Sequence, residues 1–334
     1  MGLSVFDFLW KLLVVVTLAS TFLFGAFVLG QSLIKNVSGS YFRKWARWSL
    51  VTFLGVVAVF GLLLAMVDQG LQINCFGNFA HSQGIMGVTR ILALLWISTA
   101  SILFARDMFR FKRIKKEISA NIVSQHSDFV VVSDNMEAMT YGVLDSQVVI
   151  PELVFKDATL FQHVLCHEKV HAKNRDGFWS LLEVLSLRLS WFNPFSVLFH
   201  NRFQLVVEMA TDEQAVRDYQ LEPKAYAKSL ISLLENQGGL TKSYGMFGAS
   251  FDFNQMQTRM LNLRSHLECA NEERSRKMLA ALMVLMTVAG VGQAWASVQT
   301  QKVKSPGEMI CMQVQHEMVI EKLLLKAPET NKCD

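Results

Sequence analysis

His167-Glu168-Lys169-Val170-His171 sets two imidazoles four residues apart, with a carboxylate beside the first. On a helix, positions i and i+4 share a face, so both rings address one ion. A zinc hydrolase needs two or three imidazoles or carboxylates and one coordination position left open for water. Glu168 is then placed as the general base. It takes a proton as water attacks a carbonyl and delivers that proton to the leaving amine. Leu160, Val164 and Leu165 give the helix an apolar side, which argues against two stray surface histidines. His163 lies one turn earlier, so a His163–His167 pair is an alternative. Only His167–His171 encloses a glutamate, and His163 reads as a packing residue or as a partner of a ligand.

A third ligand must come from elsewhere. Glu208-Met209-Ala210-Thr211-Asp212 puts two carboxylates at i and i+4 in apolar surroundings, with Leu205, Val206 and Val207 before them and Ala215 and Val216 after. One can ligate the ion while the other accepts the distal N–H of a ligand histidine. Glu208 is the best candidate for the ligand, with Glu183 and His200 as rivals. Asp176, five residues after His171, is a second acceptor for a ligand ring. His200, Tyr141 and Tyr226 are candidates for stabilising an oxyanion. No CxxC pattern supports a cysteine site.

The elements that must hold these groups can be read in outline. Phe129 to Ser133 and Val143 to Ile150, closed by Pro151, read as strands. Ala158 to Ala172 has a helical pattern, and Phe178 to Leu189 reads as an apolar helix. It ends at Asn193-Pro194, because proline disfavours helix in the residue before it. Further helices are expected over Phe195 to Asp218 and Lys224 to Asn236, followed by a Gly-rich loop, Gly238 to Ser250.

Around this region the chain is strongly apolar. Only 18% of its 334 residues are charged, against about a quarter in a soluble domain. Four segments reach the roughly 20 residues needed to cross a bilayer: Leu12 to Leu33, Trp48 to Val67, Met86 to Ala105 and Met278 to Val298. Basic residues flank them unevenly. Lys35, Arg43, Lys44 and Arg47 follow the first, six Lys or Arg between Arg106 and Lys116 follow the third, and Arg274, Arg276 and Lys277 precede the fourth. The loop after the second holds none. Basic loops stay cytoplasmic. This orients the N-terminus and the C-terminal tail outside and the central region inside, in a bacterial inner membrane. Arg90, within the third segment, either snorkels to the headgroups or pairs with a buried acid. The net charge of +4 sits beside apolar blocks and gives no nucleic-acid signal. Cys166 and Cys269 fall inside, and Cys311 could bridge Cys333 or Cys75 outside.

The expected organisation is 1–111 as three membrane helices with short loops, 112–276 as a cytoplasmic peptidase domain, 277–298 as the fourth membrane helix and 299–334 as a short extracytoplasmic tail. The fold class is that of a mainly α membrane protein with an α+β domain inserted between the third and fourth helices.

With these residues in view, the chain resembles the BlaR/MecR-type membrane metallopeptidases of family M56. The likeness rests on His167 to Asp176, on Trp191-Phe192-Asn193-Pro194, and on Glu208 to Ala215, in that order. Tyr141-Gly142-Val143 ahead of Val148 to Pro151 is similar to the family's strand pair. Gln257 to Leu263, with Arg259, resembles its closing segment. The resemblance implies a zincin-like gluzincin domain, one Zn2+ per chain held by His167, His171 and Glu208, Glu168 as base, Asp212 as the orienting acid, and an edge strand that binds substrate by strand addition. Residues 299–334 are too few for the large penicillin-binding sensor domain that drug-sensing members carry there, so the chain is expected to lack it.

The expected function is therefore a membrane-embedded zinc endopeptidase performing regulated proteolysis of a cytoplasmic or membrane-associated protein such as a repressor. Quality-control proteolysis of the heat-shock type, a non-catalytic receptor with a vestigial site, and a channel are the alternatives. Glu168 speaks against the receptor, because a structural site needs no base and normally has four protein ligands. Expected partners are a protein substrate, the lipid bilayer and no nucleic acid directly. A second copy of the chain is an allowed partner.

Overall fold

Hydrophobic runs set the first three helices. In the computed structural model, α1 spans Val5–Leu33, α2 Gly39–Val67 and α3 Gln83–Ala120. Each is long and apolar enough to cross a membrane: the apolar stretches run Phe8–Ser32, Gly39–Leu63 and Gly87–Ala120. The structure describes residues 5–33, 38–67, 83–237 and 253–268. The chain divides into two compact units, Met1–Leu71 with Ala80–Gly290, and Gln72–Phe79 with Val291–Asp334. All described residues belong to the first. The expected fourth membrane helix, the Gly238–Ser250 loop, the tail and Cys75, Cys269, Cys311 and Cys333 lie outside the described residues.

The third helix does not stop at Ala105, where the expected span ends. It continues unbroken across residues 111 and 112 to Ala120, and buries Ile114 and Ile118 under a small sheet. That sheet contains β1 (Ile122–Gln125), β2 (Phe129–Val132), β3 (Met139–Tyr141) and β4 (Gln147–Pro151), in the order β1-β2-β4-β3. The central pair β2–β4 is parallel and both outer pairings are antiparallel. Side chains alternate across a strand. Val149 of β4 faces α3 together with Val130 and Val132, while Val148 and Ile150 face the next helices with Val154, Leu160 and Val164.

Two sequence expectations are corrected here. Val143 to Ile150 is not one strand. Gly142 has φ 125° and an added Cβ would sit 2.1 Å from the Asp145 carbonyl. The chain therefore turns between Gly142 and Ser146, and of this segment only Gln147 to Ile150 is strand, in β4. β1 was not expected at all. It is short and mostly exposed, so it carries no alternating apolar signal.

The remaining helices are α4 (Glu152–Lys156), α5 (Ala158–Asn174), α6 (Asp176–Leu189), α7 (Pro194–Asp218), α8 (Pro223–Gln237) and α9 (Phe253–Glu268). Asp157 caps α5, accepting from the Thr159 and Leu160 amides at 3.0 Å. Pro194 occupies the first turn of α7, where its missing N–H costs nothing, and Asn193 caps that helix from the Phe195 amide. The first half of α7 is apolar and lies against α1 and α2. Phe199 and Phe203 join Phe24, Phe27, Trp45 and Phe53 in one buried cluster, with Phe199 stacked on Phe24 at 4.3 Å between centroids.

Close approach of α2 to α7 depends on Gly39, where an added Cβ would stand 2.7 Å from the Ala210 amide nitrogen. Backbone cannot yield as a flexible side chain can. Gly39→Ala is expected to cost about 1–3 kcal/mol and to lower the melting temperature of the detergent-solubilised chain. Gly55→Ala, which meets nothing within 4 Å, is expected to leave it unchanged.

Candidate metal centre

Glu168 and the two histidines of its motif lie on the inward face of α5, where His167 and Glu168 are buried. The Nε2 atoms of His167 and His171 face one another at 3.2 Å. Glu208, from the middle of α7, completes the group. Its carboxylate oxygens lie 3.4 Å from His167 Nε2 and 3.6 Å from His171 Nε2. All three ligand atoms fall within 4.8 Å of one another, a spacing able to hold a metal ion.

The opposite edge of each ring is fixed. His171 Nδ1 lies 2.8 Å from Asp176 Oδ2. His167 Nδ1 lies 2.8 Å from the Tyr226 hydroxyl and 3.2 Å from Asp212 Oδ1. The Tyr226 hydroxyl donates to Asp212 at 2.8 Å, so it accepts from His167. Both rings therefore carry their proton on Nδ1 and turn the Nε2 lone pairs inward. Two facing lone pairs cannot bond each other, and a cation between them resolves the conflict.

Asp176 reaches His171 because of a local turn. Arg175 ends α5 in the left-handed region at φ 52°, where a non-glycine residue is uncommon. This reverses the chain so that Asp176 opens α6 against the end of α5. Arg47 of α2 then donates to the other oxygen of Asp176 and to the Asn174 carbonyl.

Asp212 is the most deeply placed acid around the triad. Arg259 of α9 grips it through Nε and Nη2, both at 2.8 Å, and places Nη1 3.1 Å from Glu208. Burial would raise both carboxyl groups, but the guanidinium and the histidines hold them well below the usual carboxylate range. Where no cation competes with the proton for Nε2, the same carboxylates overcome the effect of burial on His167 and push its imidazole up to about 10. Glu213, beside Asp212, turns the other way. It accepts from the Gly39 amide at 2.6 Å, from Ser38 Oγ and from Asn262 at 2.7 Å.

Glu168 points toward the sheet. Thr140 Oγ1, on edge strand β3, lies 2.8 Å from both its carboxylate and its carbonyl oxygen. His163 bonds Ser229 at 2.7 Å and stands apart from the triad. The rival ligands Glu183 and His200 bond one another at 2.7 Å. Tyr141 stacks on Phe111 with its hydroxyl 3.4 Å from the Phe111 carbonyl, and Tyr226 serves the Nδ1 side of His167. None of the three groups considered for an oxyanion is free for that task in this arrangement. No local sequence pattern marks Arg47 or Thr140, and Tyr226, a candidate for the oxyanion, instead partners His167 and Asp212. Arg259 was visible only as part of a similar closing segment.

Asp176→Ala removes the acceptor that orients His171. It is expected to weaken metal retention about 10–100-fold in equilibrium dialysis. Arg259→Met strands Asp212 in a buried position and is expected to cost about 3–5 kcal/mol, seen as a lowered thermal midpoint in detergent.

Comparison with known proteins agrees with this geometry. The sequence profile of the family described as BlaR1 peptidase M56 matches residues 76–263. This stretch contains α3, the sheet, both ligand-bearing helices and Arg259. No curated protein matches the chain. With more than half its length matched, from the third apolar helix through the metal triad, the chain belongs to the BlaR1-type M56 peptidase family.

Proposed function

We propose that the chain is a membrane-embedded zinc endopeptidase in which His167, His171 and Glu208 hold one Zn2+ and Glu168 is the general base. The observation that carries this reading is the triad spacing. Zinc–ligand bonds of about 2.0–2.1 Å in a tetrahedron imply ligand separations near 3.3 Å, and the three pairs lie at 3.2, 3.4 and 3.6 Å.

Zinc in such a site supplies Lewis acidity, acidifying water and polarising the scissile carbonyl. The protein's own part is proton handling and positioning. Glu168 takes one proton from the attacking water as the C–O bond forms, and gives it to the amide nitrogen as the C–N bond breaks. Thr140 holds that carboxylate against the sheet. Strand β3 pairs with β4 on one side, and its other edge can accept an extended substrate segment by strand addition. A peptide bound there lies beside the base.

Arg43 and Arg47, in the basic segment after α1, bond Gln214 and Asp176. This supports a common side for that segment and the peptidase helices, and the distribution of basic residues favours the cytoplasm. Family membership supports regulated cleavage of a cytoplasmic or membrane-associated protein, such as a repressor, as the biological role.

Glu168→Gln keeps the ligands and removes the base. We expect metal content to stay at one zinc per chain and cleavage to fall by about 10²–10⁴-fold. The measurement compares protein fragments in cells carrying the wild-type chain with those carrying the variant. Fragment patterns that do not differ between the two would remove the endopeptidase assignment.

A further inference from the structure

The hairpin formed by α6 and α7 has a place the proposed function does not use. Its tip, Trp191 to Pro194, meets α1 near its midpoint. Asn193 Nδ2 donates to Ser20 Oγ and to Thr21 Oγ1, both at 2.8 Å. Ser20 is the central residue of the apolar run Phe8–Ser32. Just before the tip, Trp96 Nε1, within the apolar stretch Gly87–Ala120 of α3, donates to the Leu189 carbonyl at 2.7 Å. Phe195, the first residue after Pro194, closes against Gly25, where an added Cβ would stand 3.3 Å from its ring. Two apolar helices thus hold the same end of the hairpin.

The outer surface of the tip is apolar. Trp191, Phe192, Val197 and Leu198 are exposed, as are apolar side chains on α1 to α3 such as Leu18, Val51 and Leu95. The polar atoms of the tip are turned inward. Asn193 serves α1 and the α7 cap, while Ser190 and Ser196 bond one another at 2.7 Å. The ionisable groups of the hairpin's inner faces are paired: Glu183 with His200, and Arg188 with Asp107 of α3 at 2.6 Å. A water-facing loop needs none of this, whereas backbone turning inside hydrocarbon requires it.

We infer that α6 and α7 form a re-entrant hairpin inserted into the bilayer, with Trp191 to Leu198 facing lipid acyl chains near the membrane midplane. This rests on the reading that α1, α2 and α3 cross a membrane. From Asn193 to Glu208, α7 climbs about 22 Å at 1.5 Å per residue, against about 15 Å for half the hydrocarbon layer. The metal triad then stands in the headgroup layer. The substrate class that follows is a juxtamembrane peptide segment, presented where a chain leaves the bilayer.

The test uses the full chain reconstituted in nanodiscs of phosphatidylcholine brominated either deep in the acyl chain or close to the headgroup. Trp191 emission is read as the difference between the wild type and Trp191→Phe. Emission of Trp48, exposed on α2, is read in the same way with Trp48→Phe. We expect Trp191 to lose more emission to deep bromines than to shallow ones, and to be insensitive to aqueous iodide. If Trp48 is quenched by brominated lipid while Trp191 is quenched by iodide or by shallow bromines alone, the hairpin is not inserted and the membrane helices stand. If brominated lipid quenches neither, the membrane-spanning reading fails and this inference fails with it.

Discussion

A carboxylate shut away from water must have its charge answered on the spot, because its desolvation is worth several kcal/mol. Asp212, 1% exposed, is that group here, and the site is assembled around it. Arg259 answers with a two-pronged bond, Tyr226 donates to it, and His167 lies against its Oδ1. These three partners come from α9, α8 and α5. One buried charge therefore fixes three helices relative to α7, and Glu208, one turn earlier on α7, inherits its position from that arrangement. Geometry at the triad is a by-product of electrostatic satisfaction one layer farther out.

The helix that carries Asp212 has two unlike halves. From Pro194 to Val207 its buried side chains are mostly apolar and belong to the aromatic cluster around Phe24 and Phe53. From Glu208 to Gln214 acidic and amide groups dominate, and nearly all are buried. The burial of the acids and of Gln214 is tolerated because they meet specific donors, such as Ser38, the Gly39 amide, Arg43, Asn174 and Asn262. Rigidity of the apolar half supplies the fixed frame that such directional bonds require.

What could be read in advance was what is local. The i, i+4 pairs His167–His171 and Glu208–Asp212 declare themselves by spacing, and long apolar runs declare α1 to α3. The limits of α5 to α8 fell within a residue or two, since Asp157, Asn193 and Pro194 act on immediate neighbours, whereas α1 and α2 begin well before, and α3 ends well after, the expected apolar spans. The division of Val143 to Ile150 was missed because apolar content hides a turn that depends on the left-handed backbone at Gly142. β1 was missed because an exposed strand has no burial pattern to show. The partners Arg47, Thr140, Tyr226 and Arg259 could not be read. Arg47 lies 129 residues from Asp176, Tyr226 59 from His167, Arg259 47 from Asp212 and Thr140 28 from Glu168, and nothing in a local pattern encodes such an encounter. Asp176 was a near case: five residues from His171, it was a candidate by proximity, but only the backbone reversal at Arg175 brings it round.

The second helix grips the peptidase fold at two separate places. Gly39 presses on α7 beside Glu213, and Arg47, two turns farther along, holds Asp176. A single pivot would let a rod swivel or slide; two clamps on different partners do not. Any piston stroke or axial twist of α2 is transmitted as torque to the base of α7 and to the acid behind His171 together. Mechanically, the rod and the metal cradle move as one piece, and slack between them can arise only by breaking a clamp.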